Sequence, residues 1–214
     1  MEPVASVLVA FFLGSIPFSW ILIRLGKGID LREVVIGNPG ATNAWRAAGA
    51  RWGISALILD IAKGWTAVAA APLIVPDPSG DWLPALCGCS AILGNVFCPF
   101  LRFKGGKAVS TASGVFLGLT PWGFLITVVF FALVVWRTGK MSAASLTGAI
   151  LLPLIVTFEG LWAIGDASGK PVIGLVWIAA GIVVLRHKAN IGRLLRGEEK
   201  AFLTRQEGKD NGAC

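Results

Sequence analysis

The sequence is poor in charged residues, and this shortage excludes several classes of protein. Only 14% of the 214 residues are charged, whereas a soluble domain has about 25%. In contrast, 55% of the residues are hydrophobic and the mean hydropathy is +0.75. This balance excludes a soluble globular enzyme, a disordered chain and a secreted disulfide scaffold. It indicates an all-α polytopic integral membrane protein.

Metal-binding and redox residues are also scarce. The single histidine excludes a multi-histidine metal site. The four cysteines are Cys87, Cys89, Cys98 and Cys214, and no pair of them has the C-x-x-C spacing of zinc or redox motifs. We therefore predict no metal, no cofactor and no nucleic-acid partner.

The N-terminus has no cation before its first apolar run, so it lacks the positive n-region of a signal peptide. This run is therefore predicted to be a retained membrane span. A span needs about 20 mainly apolar residues. The candidate spans are residues 3–23, 53–76, 82–101, 108–136, 141–158 and 171–185.

The run 108–136 is too long for one comfortable span and short for two, and the charge distribution decides between these alternatives. Pro121-Trp122-Gly123 in its middle is typical of a turn. With two crossings, all but two of the 19 Lys and Arg residues fall on one side, Lys63 lying within a span and Lys170 opposite. One crossing would divide the cations evenly. The positive-inside rule therefore favours seven spans, with the N-terminus outside and the C-terminus cytoplasmic.

We accordingly expect residues 1–200 to form a single seven-helix transmembrane domain and residues 201–214 to form a short polar tail. The stretch 108–119 is only twelve residues long, or about 18 Å of helix against a core of ~30 Å. Its helix must therefore begin near Gly106 or lie partly within the protein.

Three segments on the predicted cytoplasmic side carry groups that could bind an anion. The first, residues 37–46, reads GNPGATNAWR, in which a glycine- and proline-containing turn precedes residues suited to helix capping, Thr42 and Asn43. Backbone N–H groups, amides, a hydroxyl and a guanidinium suit a phosphate, although a capped turn between helices is the plainer alternative. The candidate ligands are Gly37, Asn38, Gly40, Thr42, Asn43 and Arg46.

The second and third segments are more basic. Residues 103–111 read FKGGKAVST, with Lys104 and Lys107 on either side of Gly105 and Gly106. This is not a Walker A motif, but free N–H groups and cations can still hold an anion; the alternative is a positive-inside loop. Residues 186–196 read RHKANIGRLLR, and helical spacing would align His187, Asn190 and Arg193. Here the alternative is a basic juxtamembrane helix attracted to anionic lipid.

Two charged residues, Asp60 and Lys63, lie inside the second predicted span. Each is costly at the centre of a bilayer, so we expect them to pair or to face a polar cavity. The other three segments all offer hydrogen-bond donors and cations that could bind an anion. The sequence therefore favours a site that binds phosphate groups next to the membrane's apolar interior. A lipid-phosphate chemistry follows.

Together these segments resemble the bacterial acyl-phosphate:glycerol-3-phosphate acyltransferase family, the PlsY type. The resemblance rests on GSIP at 14–17, GNPGATNAWR at 37–46, D-x-x-K-G at 60–64, GNVFCPFLRFKGGKAVST at 94–111 and RHKANIGRLLRGEE at 186–199. It implies a seven-span fold that transfers a fatty acyl chain from acyl phosphate to the 1-hydroxyl of glycerol 3-phosphate. The products would be lysophosphatidic acid and inorganic phosphate, formed without metal or nucleotide in the first step of phospholipid synthesis.

The resemblance also implies roles for individual residues. Lys107, His187 and Arg46 would be catalytic. The first-motif residues named above, together with Lys104, Gly105, Gly106, Asn190 and Ser142, would bind substrate or phosphate. The chain departs from the family pattern at Ile36, Asn95, Cys98, Ala108, Ser110 and Glu198, which stand for serine, histidine, proline, glycine, alanine and threonine.

Acyl phosphate is already activated, so orientation and charge stabilisation should suffice. We expect direct attack by the glycerol hydroxyl, with the acyl chain between helices and the proton passing either to a substrate phosphate oxygen or to His187. The expected setting is the bacterial inner membrane with the site facing the cytoplasm, membrane lipid around it, and a soluble enzyme that makes acyl phosphate as a functional partner. The alternatives are a non-catalytic paralogue that binds a phosphorylated lipid or metabolite, favoured by Ile36 and Asn95, and an organic-phosphate transporter.

Overall fold

The computed structural model describes residues 2–34, 37–74, 82–162 and 169–202, and these ranges contain helices and no β-strand. A 3₁₀ turn covers Pro99–Leu101. The α-helices of the described ranges are α1 (Glu2–Ser15), α2 (Phe18–Lys27), α3 (Ala41–Ala48), α4 (Ala50–Ala69), α5 (Ala71–Ile74), α6 (Trp82–Val96), α7 (Val109–Leu119), α8 (Pro121–Thr138), α9 (Met141–Trp162), α10 (Lys170–Arg186) and α11 (Lys188–Leu195).

Several of these helices are long and apolar enough to cross a membrane. Within the described ranges they are Pro3–Lys27, Trp82–Leu101, Pro121–Thr138 and Met141–Trp162, and α10 reaches this length only when counted together with α11, from which it is bent by 61°. The helix α4 has 20 residues but carries two buried charges, and α7 has only 11. The prediction of an all-helical chain with several apolar helices is confirmed.

The charges within α4 form a closed network with the break between α1 and α2. Lys63 Nζ lies 2.8 Å from Asp60 Oδ1 and donates to the Ile16 carbonyl oxygen at 2.7 Å. Ser19 Oγ donates to Asp60 Oδ2 at 2.8 Å. The helix is interrupted at Pro17, which has no N–H to continue the ladder, and at this break the Ile16 carbonyl oxygen accepts from both the Phe18 N–H, at 3.1 Å, and Lys63. Asp60 and Lys63 therefore pair, as predicted.

The short helix α7 packs along α4 at backbone contact distance. A Cβ on Gly64 would lie 2.1 Å from the Thr111 carbonyl oxygen, and one on Gly114 would lie 1.9 Å from that of Ile61. Only glycine permits this approach, as at small-residue interfaces between membrane helices. The packing buries Thr111 and Val115, so α7 is shielded by its neighbours despite its length.

The run 108–136 forms two helices, but their boundaries differ from those expected. The turn was expected at Pro121-Trp122-Gly123; the break lies at Thr120, and these three residues form the first turn of α8. Of the two alternatives for the short stretch, a start near Gly106 or a helix lying partly within the protein, the structure shows the second: α7 begins at Val109, after Ala108 with φ +60°, and packs against α4. That left-handed residue ends the preceding loop and prevents the helix from extending backwards.

Candidate active site

The three segments predicted to bind phosphate meet at one cavity of about 470 Å³. Its wall combines polar and charged side chains with a larger number of apolar ones. The polar lining residues are Asn38, Gly40, Thr42, Arg46, Asp60, Asn95, Gly106, Lys107, Ser110, Thr111, Ser142, His187, Asn190 and Glu199, among others. The apolar lining includes Ile54, Leu57, Ile61, Phe116, Phe124, Val128, Phe131, Leu152, Val176 and Val183. The cavity thus offers groups that suit an anion together with a surface that suits a hydrocarbon chain.

The first segment reaches the cavity through the start of α3. Gly40 is the N-cap residue of α3 and no side chain caps it, so the expectation that Thr42 and Asn43 cap the helix is wrong; both lie inside its first turn. Thr42 and Arg46, one turn apart, line the cavity together with Asn38. Burial lowers the pKa of the Arg46 guanidinium, which Glu199 partly counteracts.

Two predicted ligands of this segment lie behind the cavity wall. Asn43 is fully buried and its Nδ2 donates to the carbonyl oxygens of Leu31 at 3.1 Å and Val34 at 3.3 Å. Gly37 has φ +67° and its N–H donates to the Val34 carbonyl oxygen. Both residues hold the turn that precedes α3, and neither lines the cavity.

The paired glycines form a backbone-anchored loop that presents Lys107. The N–H groups of Gly105 and Gly106 donate to the carbonyl oxygens of Val96 and Asn95, at 3.1 and 3.0 Å. A Cβ on Gly105 would lie 2.0 Å from the Asn95 carbonyl oxygen, so this position requires glycine. Arg186 donates to the Gly105 and Gly106 carbonyl oxygens at 2.9 and 3.3 Å.

The two lysines of this loop are placed differently. Lys104 is exposed and does not line the cavity, whereas Lys107 is partly buried in its wall. Lys107 Nζ donates to Asn190 Oδ1. Burial, together with the charges of Arg193, Arg46 and Arg186, lowers the pKa of Lys107 to about 8, although Glu199 favours its charged form.

His187 lies at the junction of α10 and α11 and is 2% exposed. Its Nδ1 is 2.8 Å from the Val183 carbonyl oxygen. A carbonyl can only accept, so Nδ1 carries the proton and Nε2 is the ring's acceptor. Burial and the neighbouring Lys107 lower the pKa of His187 to about 4, so the imidazole is neutral at pH 7.

Glu199 connects the third segment to α9, and sequence reasoning missed this role. Its Oε1 accepts from Ser142 Oγ and Asn190 Nδ2, both at 2.6 Å, and its Oε2 accepts from Arg193 Nε at 2.7 Å. Burial alone would raise the pKa of Glu199, but these hydrogen bonds outweigh it and lower the pKa. The carboxylate thereby fixes Asn190, which in turn accepts from Lys107.

The residues after α11 border the cavity. The Lys200 carbonyl oxygen accepts from Arg46 at 3.4 Å, and the Phe202 ring packs on Trp45 with centroids 4.9 Å apart. The Phe202 N–H donates to the Gly139 carbonyl oxygen at 2.6 Å. The segment thus ties α3 to the loop between α8 and α9.

Two further expectations from the sequence concern Ile36 and metal binding. Ile36 lies outside the described residues. Within the described ranges, no three His, Cys, Asp or Glu side chains come close enough together to hold a metal ion.

Comparison with known proteins gives concordant matches over nearly the whole chain. The family model described as glycerol-3-phosphate acyltransferase matches residues 4–197. Relatives named glycerol-3-phosphate acyltransferase include one from Chlorobaculum parvum, 36% identical over 91% of this chain and 94% of its own length. Another, from Bacillus cytotoxicus, is 39% identical over 94% and 96% of the two chains.

Two solved structures are also similar. The glycerol 3-phosphate form of PlsY (YgiH), an integral membrane glycerol 3-phosphate acyltransferase, is 32% identical, with a TM-score of 0.85 over 94% of this chain and 96% of that one. The lysophosphatidic acid form of PlsY matches with a TM-score of 0.81, 29% identity, and 94% and 95% coverage.

Proposed function

This chain belongs to the glycerol-3-phosphate acyltransferase family, and we propose that it transfers a fatty acyl group from acyl phosphate to the 1-hydroxyl of glycerol 3-phosphate. The observation that carries this proposal is the cavity, in which Arg46, Lys107 and His187 line one space together with many apolar side chains. Both substrates carry a phosphoryl group, and one of them also carries a hydrocarbon chain. The products are lysophosphatidic acid and inorganic phosphate.

The site stabilises the transition state mainly through its positively charged side chains. Lys107 and Arg46 line the cavity, with Arg186 and Arg193 nearby; the Glu199 carboxylate lies among these cations, and the Asp60 carboxylate of the same cavity is paired with Lys63. Cations fixed where negative charge develops stabilise a transition state with little reorganisation. Lys107 and Arg46 hold the phosphoryl groups and stabilise the departing phosphate, while the N–H groups at the start of α3 add neutral donors.

The reaction is a direct displacement at the acyl carbon. The glycerol 1-hydroxyl oxygen forms a bond to the acyl carbonyl carbon, the bond from that carbon to the phosphate oxygen breaks, and the hydroxyl proton leaves. The His187 Nδ1–H is engaged by the Val183 carbonyl oxygen, so Nε2 is the ring nitrogen that can accept a hydrogen bond from the hydroxyl and orient it. In the proposed reaction a phosphate oxygen of the substrate takes the hydroxyl proton.

The membrane arrangement that fits this chemistry has seven spans, with the N-terminus outside and the C-terminus in the cytoplasm. Its support is the near one-sided distribution of Lys and Arg in the sequence. The segments 37–46, 102–107 and 186–196, which that distribution assigns to one side, contribute to the same cavity. We accordingly place the site on the cytoplasmic face of the bacterial inner membrane, in a single domain of residues 1–200, where a soluble enzyme could supply acyl phosphate.

Reconstituted protein tests this function. Purified chain in liposomes, supplied with acyl phosphate and labelled glycerol 3-phosphate, should form lysophosphatidic acid and inorganic phosphate in equal amounts. The Lys107→Ala variant, inserted to the same extent, is the matched control and should form little. Binding of glycerol 3-phosphate by the wild-type chain without product would contradict acyl transfer and support a non-catalytic paralogue. Uptake of glycerol 3-phosphate without an acyl donor would support a transporter.

A further inference from the structure

Asn95 lies at the end of α6, between the Asp60–Lys63 pair and the cavity. Its side chain is partly exposed and lines the cavity beside Gly106 and Lys107. Its backbone carbonyl anchors the glycine loop, but the reaction described above leaves its side-chain amide unused.

The chemistry of Lys63 fixes which way the Asn95 amide faces. Lys63 Nζ lies 2.9 Å from Asn95 Oδ1, and an ammonium group can only donate. The oxygen of the amide therefore faces Lys63. Asp60 and the Ile16 carbonyl oxygen hold Lys63 Nζ at 2.8 and 2.7 Å. The ammonium group is therefore fixed in position, and the Asn95 amide must keep its oxygen toward it.

The amide nitrogen then lies on the side of the Lys107 loop. A Cβ built on Gly106 would lie 3.1 Å from Asn95 Nδ2, which places the nitrogen against the residue that precedes Lys107. Among the described residues, Asn95 Nδ2 donates to no acceptor. Asn95 Nδ2 is accessible and not sealed within the protein, so a phosphoryl oxygen in the cavity that Asn95 lines can accept its hydrogen bond.

We propose that Asn95 is a further substrate-binding residue, which donates a hydrogen bond from Nδ2 to a phosphoryl oxygen held by Lys107. Lys63 acts as the positioning residue that orients this amide. The inference rests on the proposed function only for the identity of the ligand, since glycerol 3-phosphate and acyl phosphate both offer a phosphoryl oxygen.

Two substitutions separate the donor from the rest of the side chain. Asn95→Asp keeps an acceptor for Lys63 and replaces the donor with a carboxylate oxygen. Asn95→His keeps both functions, because a neutral imidazole has one acceptor and one donor nitrogen. At pH 8, Asn95→Asp should raise a substrate KM by about 10-fold or more, because it loses the donor and places a carboxylate beside the phosphoryl group. The melting temperature of the variant is measured alongside, since its carboxylate lies near Asp60 as well as Lys63.

The Asn95→His variant should keep KM near the wild-type value. A rise confined to the KM for glycerol 3-phosphate assigns Nδ2 to that phosphate, and a rise confined to acyl phosphate assigns it to the donor. Unchanged KM values in Asn95→Asp, or an equal loss in both variants, would overturn the proposal. If wild-type protein binds glycerol 3-phosphate in calorimetry but forms no product, the proposed function fails, and the same comparison of affinities still decides the role of Asn95.

Discussion

Two groups of buried charges in this chain are built differently, and the difference separates a structural ion pair from a binding site. Asp60 and Lys63 balance each other in charge, Ser19 donates to Asp60, and Lys63 donates to the Ile16 carbonyl oxygen and to Asn95 Oδ1. Around Lys107, the Glu199 carboxylate is outnumbered by Lys107 and three arginines. The first group is neutral as a pair, whereas the second keeps an excess of positive charge at the wall of a cavity.

A buried charge can be assigned to folding or to function by whether its protein neighbours balance it. A balanced pair needs no ligand, and its removal should affect stability. An unbalanced cluster is unfavourable in the empty state, since burial lowers the pKa of Lys107 and Arg46. An anion of the right shape relieves that imbalance, so its removal should affect binding and rate.

The largest expected effect comes from breaking the balanced pair. Lys63→Met leaves the Asp60 carboxylate buried without its cation, which typically costs about 3–5 kcal/mol. We expect little folded protein, measured as the monodisperse fraction after detergent extraction. Asp60→Asn combined with Lys63→Met removes both charges and should recover most of the folded yield. If the single variant folds as well as the wild type, the pair does not have the stabilising role assigned to it.

The next largest effect is a difference in acyl-transfer rate between variants of the two lysines in the glycine loop, Lys107 and Lys104. Lys107→Ala should lower kcat/KM for acyl transfer by about 10²-fold or more, because it removes a cation from the reacting phosphate. Lys104→Ala is the matched control: Lys104 is exposed and outside the cavity, so its rate should stay close to the wild-type value. Equal losses in the two variants would mean that general basicity of the loop, and not the position of Lys107, supports the reaction.

A smaller effect concerns pH. Lys107 is protonated below its pKa of about 8 and loses its charge as the pH rises through that value, well below the ordinary range for lysine. We expect kcat/KM to decline by about tenfold per pH unit above pH 8, as for loss of one essential proton. Lys107→Arg should remove this decline, since a guanidinium stays protonated. An identical alkaline limb in both proteins would show that another group titrates there.

The smallest expected effect tests the loop that precedes α7. Ala108 has φ +60°, a left-handed conformation that costs a residue with a Cβ roughly 1–2 kcal/mol. Ala108→Gly should therefore raise the melting temperature by about 2–4 °C, the shift expected for about 1 kcal/mol in a chain of this size. A lower melting temperature would indicate that the buried Ala108 methyl group contributes more through packing than it loses through backbone strain.

The sequence allowed much of the site to be predicted, because cations and glycines cluster in recognisable segments. The convergence of Arg46, Lys107 and His187 on one cavity agrees with the prediction that three segments share a site. The role of Glu199 was missed because its partner Ser142 is 57 residues away, and no local spacing reveals such a contact. Asn43 shows the converse: its residue type suits phosphate binding, but tertiary packing turns it toward the Leu31 and Val34 carbonyls.

Helix boundaries were predicted less well, for two local reasons. The interruption at Pro17 was hidden inside an uncharged run that hydropathy alone treats as one span. The start of α7 depends on the positive φ of Ala108, which residue type does not predict because alanine favours helices.

Calorimetric titration of the wild-type chain with glycerol 3-phosphate, and with glycerol under the same conditions, tests most directly whether the excess positive charge holds a phosphoryl group. We predict saturable binding of glycerol 3-phosphate, no detectable binding of glycerol, and an affinity for glycerol 3-phosphate that falls by about 10-fold or more in Lys107→Ala. Equal binding of the two compounds, or an affinity unchanged by Lys107→Ala, would contradict the account.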